Sequence, residues 1–160
     1  MVEREMKSIL LLLSAARTSE KAVEFAVEQA KKERAELTVI YVIDTSLTDE
    51  VFDRFTDIGF IGDKPSTELT EAIMKEFRQR GYEELGKVQM RAMEEGVGYN
   101  PMTVQGDFFR CSMDVIGQRK ADMVVAVKRR KSALARYFSK SPVDELKESA
   151  PCEVVVFEEE

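Results

Sequence analysis

The spacing of apolar residues changes along the chain, and these changes predict the first strands and helix. Residues 7–13, KSILLLL, form a continuous apolar run typical of a central parallel strand buried on both faces. Residues 20–34 repeat apolar positions at helical spacing, which predicts an amphipathic helix capped by Thr18 or Ser19. Residues 37–43, LTVIYVI, are rich in β-branched and aromatic residues and predict a second strand.

The rest of the chain continues this alternation after a long connection at residues 44–64. A helix is predicted at 65–95, although Gly81 and Gly86 each weaken it by about 1 kcal/mol relative to alanine. The following GVGYNP at 96–101 is interpreted as a turn, because it precedes a strand and has proline where a dinucleotide fingerprint has its third glycine. The remaining predicted elements are a strand at 102–105, a helix from 106 to about 119, a strand at 122–127, a helix at 142–149 and a strand at 152–157.

This order of strands and helices predicts an α/β fold, a three-layer doubly wound parallel sheet of five strands with helices on both faces. The length of 160 residues suits a single domain over 1–160. Ligands of such folds sit beyond the carboxyl ends of the strands, where the strand order reverses. The segments to search are therefore residues 14–17 and 126–131.

Composition excludes several classes of chemistry. The sequence has no histidine, which removes imidazole bases, Ser/His/Asp and Cys/His pairs and the usual histidine zinc sites. The longest apolar runs are five residues, far below the roughly 17 that a spanning helix needs, and no signal peptide is evident. We therefore expect a cytoplasmic protein with reduced cysteines. A net charge of −6 gives no general attraction to nucleic acid or an anionic membrane.

Three longer segments and three short motifs within them suggest a known family. The segments are KSILLLLSAARTSEKAVEFAVEQAKKERAELTVIYVID, VQGDFFRCSMDVIGQRKADMVV and LKESAPCEVVVF, and the motifs are Gly106-Asp107, Ala121-Asp122 and Ala150-Pro151-Cys152. In this order and spacing they resemble universal stress proteins from residue 7 to residue 157. The resemblance implies strand order 3-2-1-4-5, as in the adenine nucleotide alpha hydrolase-like fold, a homodimer paired through its last strands and, in many members, ATP binding.

The resemblance also locates the ATP-binding motif, and this sequence departs from it. In the ATP-binding branch the fourth strand is followed by a glycine, two residues, a second glycine, nine residues, and then glycine with serine or threonine. Missing side chains there let backbone N–H groups approach phosphates. The matching positions here hold Ala126, Arg129, Ser139 and Lys140, and no glycine follows Gly117. The chain thus resembles the branch that lacks the glycine-rich motif.

The first strand departs from the nucleotide-binding pattern as well. Its final aspartate in nucleotide-binding relatives corresponds to Ser14, whereas Val42 matches a base-contacting backbone position. Losing two hydrogen bonds to a charged ligand weakens binding by about 3 to 6 kcal/mol, and only about 4.1 kcal/mol separates micromolar from millimolar affinity. We therefore predict no tight ATP binding and no required cofactor. The candidate degenerate nucleotide or phosphate site comprises Ser14, Ala15, Val42, Ala126, Arg129, Arg130, Ser139, Lys140 and Ser141.

The segment VKRRKSALARYFSK at 127–140 carries six bases and no acid, which leaves −12 for the remainder of the chain. Three interpretations stay open. It is a solvated loop; or its arginines bind phosphate through side chains, with Ser14, Ser139 and Ser141 as neighbours; or it contacts nucleic acid or an acidic protein.

Other candidates concern the long connection and the cysteines. The connection has acids that lack an EF-hand's spacing and glycine, so a solvated acidic loop is favoured over a cation site. Its large apolar residues are interpreted as a lid or helical turn over the sheet edge, with a partner-binding patch as the alternative. Cys111 lies near the start of a predicted helix, and a lowered thiol pKa there is the alternative interpretation. Burial is the favoured interpretation for Cys111 and for Cys152. The acids are Asp44, Asp49, Glu50, Asp53 and Asp57, and the apolar residues are Phe52, Phe55, Ile58, Phe60 and Ile61.

We therefore expect a non-catalytic binding or regulatory protein of the universal stress type that acts on other proteins. A nucleotide or phosphate sensor using the basic segment 128–140 is the alternative, and a nucleotide hydrolase is disfavoured because base, metal site and glycine loop are all missing. A homodimer is expected through the apolar last strand, whose unpaired edge invites a second chain. Its interface residues are Val154, Val155, Val156 and Phe157. No metal or membrane partner is expected.

Overall fold

The computed structural model describes residues 6–45, 67–129 and 141–159. Its strands are β1 (Ser8–Ser14), β2 (Glu36–Asp44), β3 (Tyr99–Gly106), β4 (Met123–Lys128) and β5 (Glu153–Glu158). Its helices are α1 (Glu20–Glu33), α2 (Thr67–Glu94), α3 (Phe108–Arg119) and α4 (Pro142–Ser149). All paired strands are parallel, in the order β3-β2-β1-β4-β5. The predicted doubly wound sheet and its strand order are confirmed.

The apolar run of β1 is continuous because both faces of this central strand are covered. Ile9, Leu11 and Leu13 belong to the core on the side of α1 and α2. Leu10 and Leu12 belong to the second core, on the side of α3 and α4. All five side chains are fully buried. Burying a leucine side chain contributes roughly 1.5 to 3 kcal/mol, so the apolar side chains of β1 help to join the sheet to both layers of helices.

Side-chain caps begin three of the helices. Ser19 Oγ accepts a hydrogen bond from the Ala22 amide at 3.2 Å and starts α1. Asp107 Oδ2 accepts from the Arg110 amide at 2.9 Å and starts α3. Ser141 Oγ likewise caps α4 by accepting from the Val143 amide at 3.2 Å. Each cap satisfies an amide that the first helical turn would otherwise leave unpaired.

The Gly106-Asp107 pair works as a unit at the end of β3. Gly106 has a φ of +149°, which side chains rarely adopt, and a Cβ there would lie 3.0 Å from Cys111 Sγ. Glycine therefore makes the sharp exit from the strand, and Asp107 caps the helix that follows.

The Asp122 carboxylate secures the beginning of the central strand. Its Oδ2 accepts hydrogen bonds from the amides of Lys7 and Ser8, at 2.8 and 3.0 Å. The Asp122 amide in turn donates to the Ser8 carbonyl at 2.8 Å. These bonds set the start of β1 beside the start of β4, and they give the Ala121-Asp122 pair a structural role.

The interpretation of residues 96–101 as a turn was wrong for its second half. Tyr99, Asn100 and Pro101 belong to β3, where they pair with Leu37, Thr38 and Val39. Proline is tolerated because β3 is an edge strand with one neighbour. Asp44 likewise ends β2 rather than starting the long connection. The predicted start of the second helix at residue 65 and the apolar residues between 52 and 61 lie outside the described residues.

Helix α2 contacts the sheet through a glycine in its middle. A Cβ at Gly81 would lie 2.6 Å from Cδ1 of Tyr41, whose ring stands on β2 and is fully buried. Burial raises the pKa of Tyr41 to about 12, and its hydroxyl has no hydrogen-bond partner among the described residues. At Gly86, by contrast, a Cβ would meet no atom within 4 Å. None of the helices in the described ranges is both long and apolar enough to cross a membrane.

The two glycines predict opposite effects of one substitution. Gly81→Ala should lower the free energy of unfolding by about 1 to 3 kcal/mol, because the new methyl group overlaps the buried Tyr41 ring. Gly86→Ala should raise it by about 1 kcal/mol, because alanine favours the helix and meets no neighbour. Urea denaturation of both variants in dilute solution tests this pair. Equal effects at the two positions would contradict the close approach of α2 to Tyr41.

Candidate functional site

The structure brings part of the predicted site together at the carboxyl edge of the sheet. Ser14, at the end of β1, lies opposite Val42 on β2. Ala126 on β4 lies opposite Leu12, on the other side of β1. All of these residues are fully buried, and Ala15 is half-buried in the turn that follows. The strand order reverses between β1 and β4, so these residues border the place where doubly wound folds bind ligands.

The turn after β1 directs an arginine back across this edge. Ser14 and Arg17 exchange two backbone hydrogen bonds, of 3.2 and 3.1 Å, which close the turn. The Arg17 Nη1 then donates to Ser14 Oγ at 3.1 Å and to Asp44 Oδ2 at 3.0 Å. One guanidinium nitrogen thus joins the carboxyl ends of β1 and β2.

An aromatic ring from a third segment packs against the same guanidinium. Cζ of Arg17 lies 4.1 Å from the ring centroid of Phe108. Phe108 is the first residue of α3 and is placed by the Gly106 exit and the Asp107 cap. A cation over an aromatic face is attracted by the ring quadrupole, and more strongly where water is excluded. Arg17 is therefore held by three separate segments of the chain.

The pair of Arg17 and Asp44 is buried, with side chains only 5% and 1% exposed. Burial lowers the pKa of Arg17 below its ordinary value, the Asp44 carboxylate opposes that change, and the nearby charge of Arg129 adds to it. Arg17 Nε has no hydrogen-bond partner among the described residues. The desolvation of such a pair offsets most of its attraction, so its main effect is to fix geometry rather than to add net stability.

The basic residues on the β4 side are only partly described. Lys128 Nζ forms an ion pair with Asp144 Oδ2 of α4 at 3.0 Å, and both side chains are well exposed. Arg129 is half-buried, and Ser141 is occupied as the cap of α4. Arg130, Ser139 and Lys140 lie outside the described residues. The structure therefore brings Ser14, Val42 and Ala126 together but assigns Lys128 and Ser141 to contacts with α4.

Three residues of this site were missed or misplaced by the sequence reasoning: Arg17, Asp44 and Phe108. Asp44 was assigned to a solvated acidic loop, but it is 2% exposed and holds Arg17. The signal was available, because residues that end adjacent parallel strands meet at one edge of the sheet. Asp49, Glu50, Asp53 and Asp57 lie outside the described residues. Within the ranges that the structure describes, no group of three acidic or cysteine side chains is arranged to hold a metal ion.

Both cysteines are half-buried free thiols. Burial raises the pKa of Cys111, and the Asp107 carboxylate raises it further. Burial also raises the pKa of Cys152. The alternative of a lowered pKa at Cys111 was therefore wrong, because burial and the neighbouring acids raise it.

A doubly wound parallel sheet with helices on both faces defines the broad class of three-layer α/β folds. Within this class, the universal stress protein family model matches residues 5–158. The chain therefore belongs to the universal stress protein family.

Individual relatives agree with this assignment. A universal stress protein from Methanocaldococcus jannaschii is 27% identical over 154 residues, which cover 96% of this chain and 83% of the relative. The structure of universal stress protein UspA from Lactobacillus plantarum superimposes with a TM-score of 0.73 at 16% identity, covering 97% and 99% of the two chains. A family member from Arabidopsis thaliana with AMP bound has a TM-score of 0.58 at 12% identity, covering 96% and 92%. At these identities the two structures establish the fold.

Removing one partner of the buried pair should be costly. Asp44→Asn should lower the free energy of unfolding by about 3 to 5 kcal/mol, because it leaves the Arg17 charge buried without its carboxylate. Glu76→Gln, which breaks the exposed pair with Arg80, should change it by less than about 1 kcal/mol. Urea denaturation compares the two variants.

A double-mutant cycle separates the interaction between Arg17 and Asp44 from the loss of stability that each substitution causes on its own. Arg17→Met combined with Asp44→Asn should cost less than the sum of the two single changes, because the double variant leaves no buried charge. Additive losses would show that the two side chains do not depend on one another.

Proposed function

We propose that this universal stress protein is a non-catalytic binding protein that acts on other proteins in the cytoplasm and does not bind ATP tightly. The observation that carries the proposal is the buried pair of Arg17 and Asp44, which uses the polar groups at the carboxyl ends of β1 and β2. Family membership supplies the general class of function, and the details that follow are argued from this chain's own residues.

The residues present do not fit an adenine nucleotide well. Ser14 stands where nucleotide-binding relatives have an aspartate, and its hydroxyl already accepts a hydrogen bond from Arg17. Asp44 is likewise engaged by Arg17 and is almost fully buried. A ligand that needed either group would first have to break this network, at the desolvation cost of a buried charge. The missing glycines after β4 remove the backbone cradle for phosphates as well.

A nucleotide or phosphate sensor is the second candidate, and two observations favour it. A relative with the same fold has AMP bound. In this chain the charge of Arg129, the residue after β4, acts on Arg17, as does the opposite charge of Glu159, so a positive group from each of the two segments lies near this edge. Such a site would bind phosphate through side chains and would be sensitive to salt, since exposed charge interactions are screened.

Calorimetry distinguishes the two candidates. With ATP and AMP at physiological salt we expect no saturable binding with a dissociation constant below about 1 mM. That constant corresponds to a binding free energy of about −4.1 kcal/mol. The AMP-bound relative from Arabidopsis thaliana serves as the positive control. Micromolar binding of ATP that tolerates salt would contradict the proposal.

Titration with inorganic phosphate at low salt, repeated with the double variant Arg129→Gln and Arg130→Gln, tests the second candidate. Binding that disappears in this variant and at physiological salt would support the sensor.

The partner proposal includes a homodimer through β5, and the two edges of the sheet differ in a way that supports it. The amide of Leu37 donates to the Gly98 carbonyl at 2.9 Å, so alternate residues of β3 turn their backbone groups towards β2. The backbone groups of the residues between them, Pro101 included, point out of the sheet. Because proline has no backbone N–H, the outer edge of β3 lacks one of the donors that a further strand would need.

The β5 edge has no such protection. The Glu159 amide donates to the Lys128 carbonyl at 3.0 Å. Backbone groups alternate in direction along a strand, so those of Val155 and Phe157 face β4. The backbone groups of Val154 and Val156 therefore point outward from the sheet. The Phe157 ring packs against Phe25 of α1, with centroids 5.4 Å apart, and keeps this end of the strand ordered. An apolar strand whose outward groups have no partner in the described ranges invites a second chain.

Val156→Pro should abolish a dimer formed through β5, because it removes an outward N–H and leaves the ladder to β4 intact. Val155→Lys should weaken the same dimer by placing a charge in the apolar strand. Gln105→Lys, an exposed change on the opposite edge, is the matched control and should leave the dimer unchanged. Sedimentation velocity at micromolar concentration measures all three. A wild-type chain that sediments as a monomer would refute the dimer.

A further inference from the structure

Helix α2 carries an uncharged face that the fold leaves open to solvent. Among the described residues, the large apolar side chains with high exposure are Tyr82, Met90 and Met93, at 79%, 66% and 70%. All three lie on α2 and, with Gln79 and Gly86, form one face, which we call the Gly86 face. The opposite side of the helix is the buried one and includes Phe77, Gly81, Val88 and Ala92. Scattered exposed apolar residues are ordinary, but a concentration on one helix face is a mark of an interaction surface.

Gly86 stands at the centre of this face, and no neighbour in the described part of the chain requires a glycine there. A Cβ there would meet no atom within 4 Å, and the residue has no positive φ that would require glycine. Glycine nevertheless weakens a helix interior. Gly81, in the same helix, is accounted for by the Tyr41 ring. Because no described neighbour requires glycine at position 86, the residue is suited to close approach by a second molecule.

The surroundings of the Gly86 face have the shape that helix packing needs. Tyr82, Gly86 and Met90 form a row four residues apart, which is a packing ridge with a low point at the glycine. A groove of about 610 Å³ between α1 and α2 runs beside Met90. A second groove, of about 350 Å³, lies between α2 and β3 beside Tyr82 and Gly86. Ridges of a second helix can enter both grooves.

We propose that the Gly86 face binds the same face of a second copy of this chain, with the two α2 helices antiparallel and crossing at Gly86. A two-fold axis at that position places Tyr82 opposite Met90 of the other copy, since both are four residues from the glycine. Arg78 and Glu94, eight residues from the glycine on either side, lie at the flanks of the face, and Glu94 pairs with Arg91 of its own helix at 3.3 Å. The face is thus complementary to itself in shape and in thioether–aromatic contact.

This surface is independent of the proposed β5 dimer. Helix α2 packs over β2 and β3, whereas β5 is the strand at the opposite end of the sheet. Both surfaces can be occupied at once, so a chain that uses both assembles beyond a dimer. A chain that uses only the Gly86 face forms a dimer that Val156→Pro leaves intact.

Cysteine cross-linking tests the geometry directly. In a chain with Cys111→Ser and Cys152→Ala, Gly86→Cys should form a disulfide-linked dimer under mild oxidation, because the axis brings the two thiols together. Lys87→Cys is the matched control; it is the next residue, its side chain is exposed, and it points away from the face. The proposal is overturned if Gly86→Cys cross-links no faster than Lys87→Cys.

Sedimentation velocity in the Val156→Pro background measures the association itself. Gly86→Glu should weaken it by about tenfold or more, because two carboxylates meet on the axis. Gln118→Glu, which adds a carboxylate at an exposed position of α3 in the other layer, is the matched control and should leave it unchanged. Circular dichroism establishes that the variants are folded, and Met90→Lys replaces Gly86→Glu if that variant is not. A chain that stays monomeric in this background up to sub-millimolar concentration overturns the proposal, as does association that Gly86→Glu and Met90→Lys leave unchanged.

Discussion

A buried guanidinium needs acceptors, and much of the carboxyl edge of this sheet is arranged around that need. Arg17 draws together the end of β1 through Ser14, the end of β2 through Asp44 and the beginning of α3 through Phe108. The groups that satisfy the arginine are the ones that would otherwise face a ligand. The same constraint therefore orders three segments of the fold and sets what the edge can bind.

The parts of the fold that local chemistry determines could be predicted from the sequence. The apolar run of β1 indicates a strand covered on both faces, and Ser141 with Pro142 marks the start of α4, whose predicted range agrees with the structure. Tyr99, Asn100 and Pro101 have the composition of a turn, and only their position at the sheet edge makes them a strand. Arg17 and Asp44 are 27 residues apart, so their contact follows from strand order and not from any local pattern.

The glycines of α2 illustrate the same limit. In sequence, Gly81 and Gly86 are equivalent weaknesses of one helix. In the structure, Gly81 lies against the Tyr41 ring of β2, whereas Gly86 faces away from the sheet. The difference depends on which side of the helix faces the core. The amphipathic pattern of this long helix is too weak to predict that side from the sequence. Composition alone therefore gives no reason to treat the two residues differently.

The Asp122 carboxylate has a consequence for how the chain folds as it is made. It holds the amides of Lys7 and Ser8, so the bonds that complete the central strand join residues 115 and 114 positions apart. During synthesis, β1 emerges first and can pair early with β2, but its other edge waits until β4 has left the ribosome. Contacts of such separation slow folding and leave apolar strand edges open in the meantime. Until β4 has been synthesised, the nascent chain therefore exposes an unpaired apolar edge of β1, the kind of surface that chaperones bind.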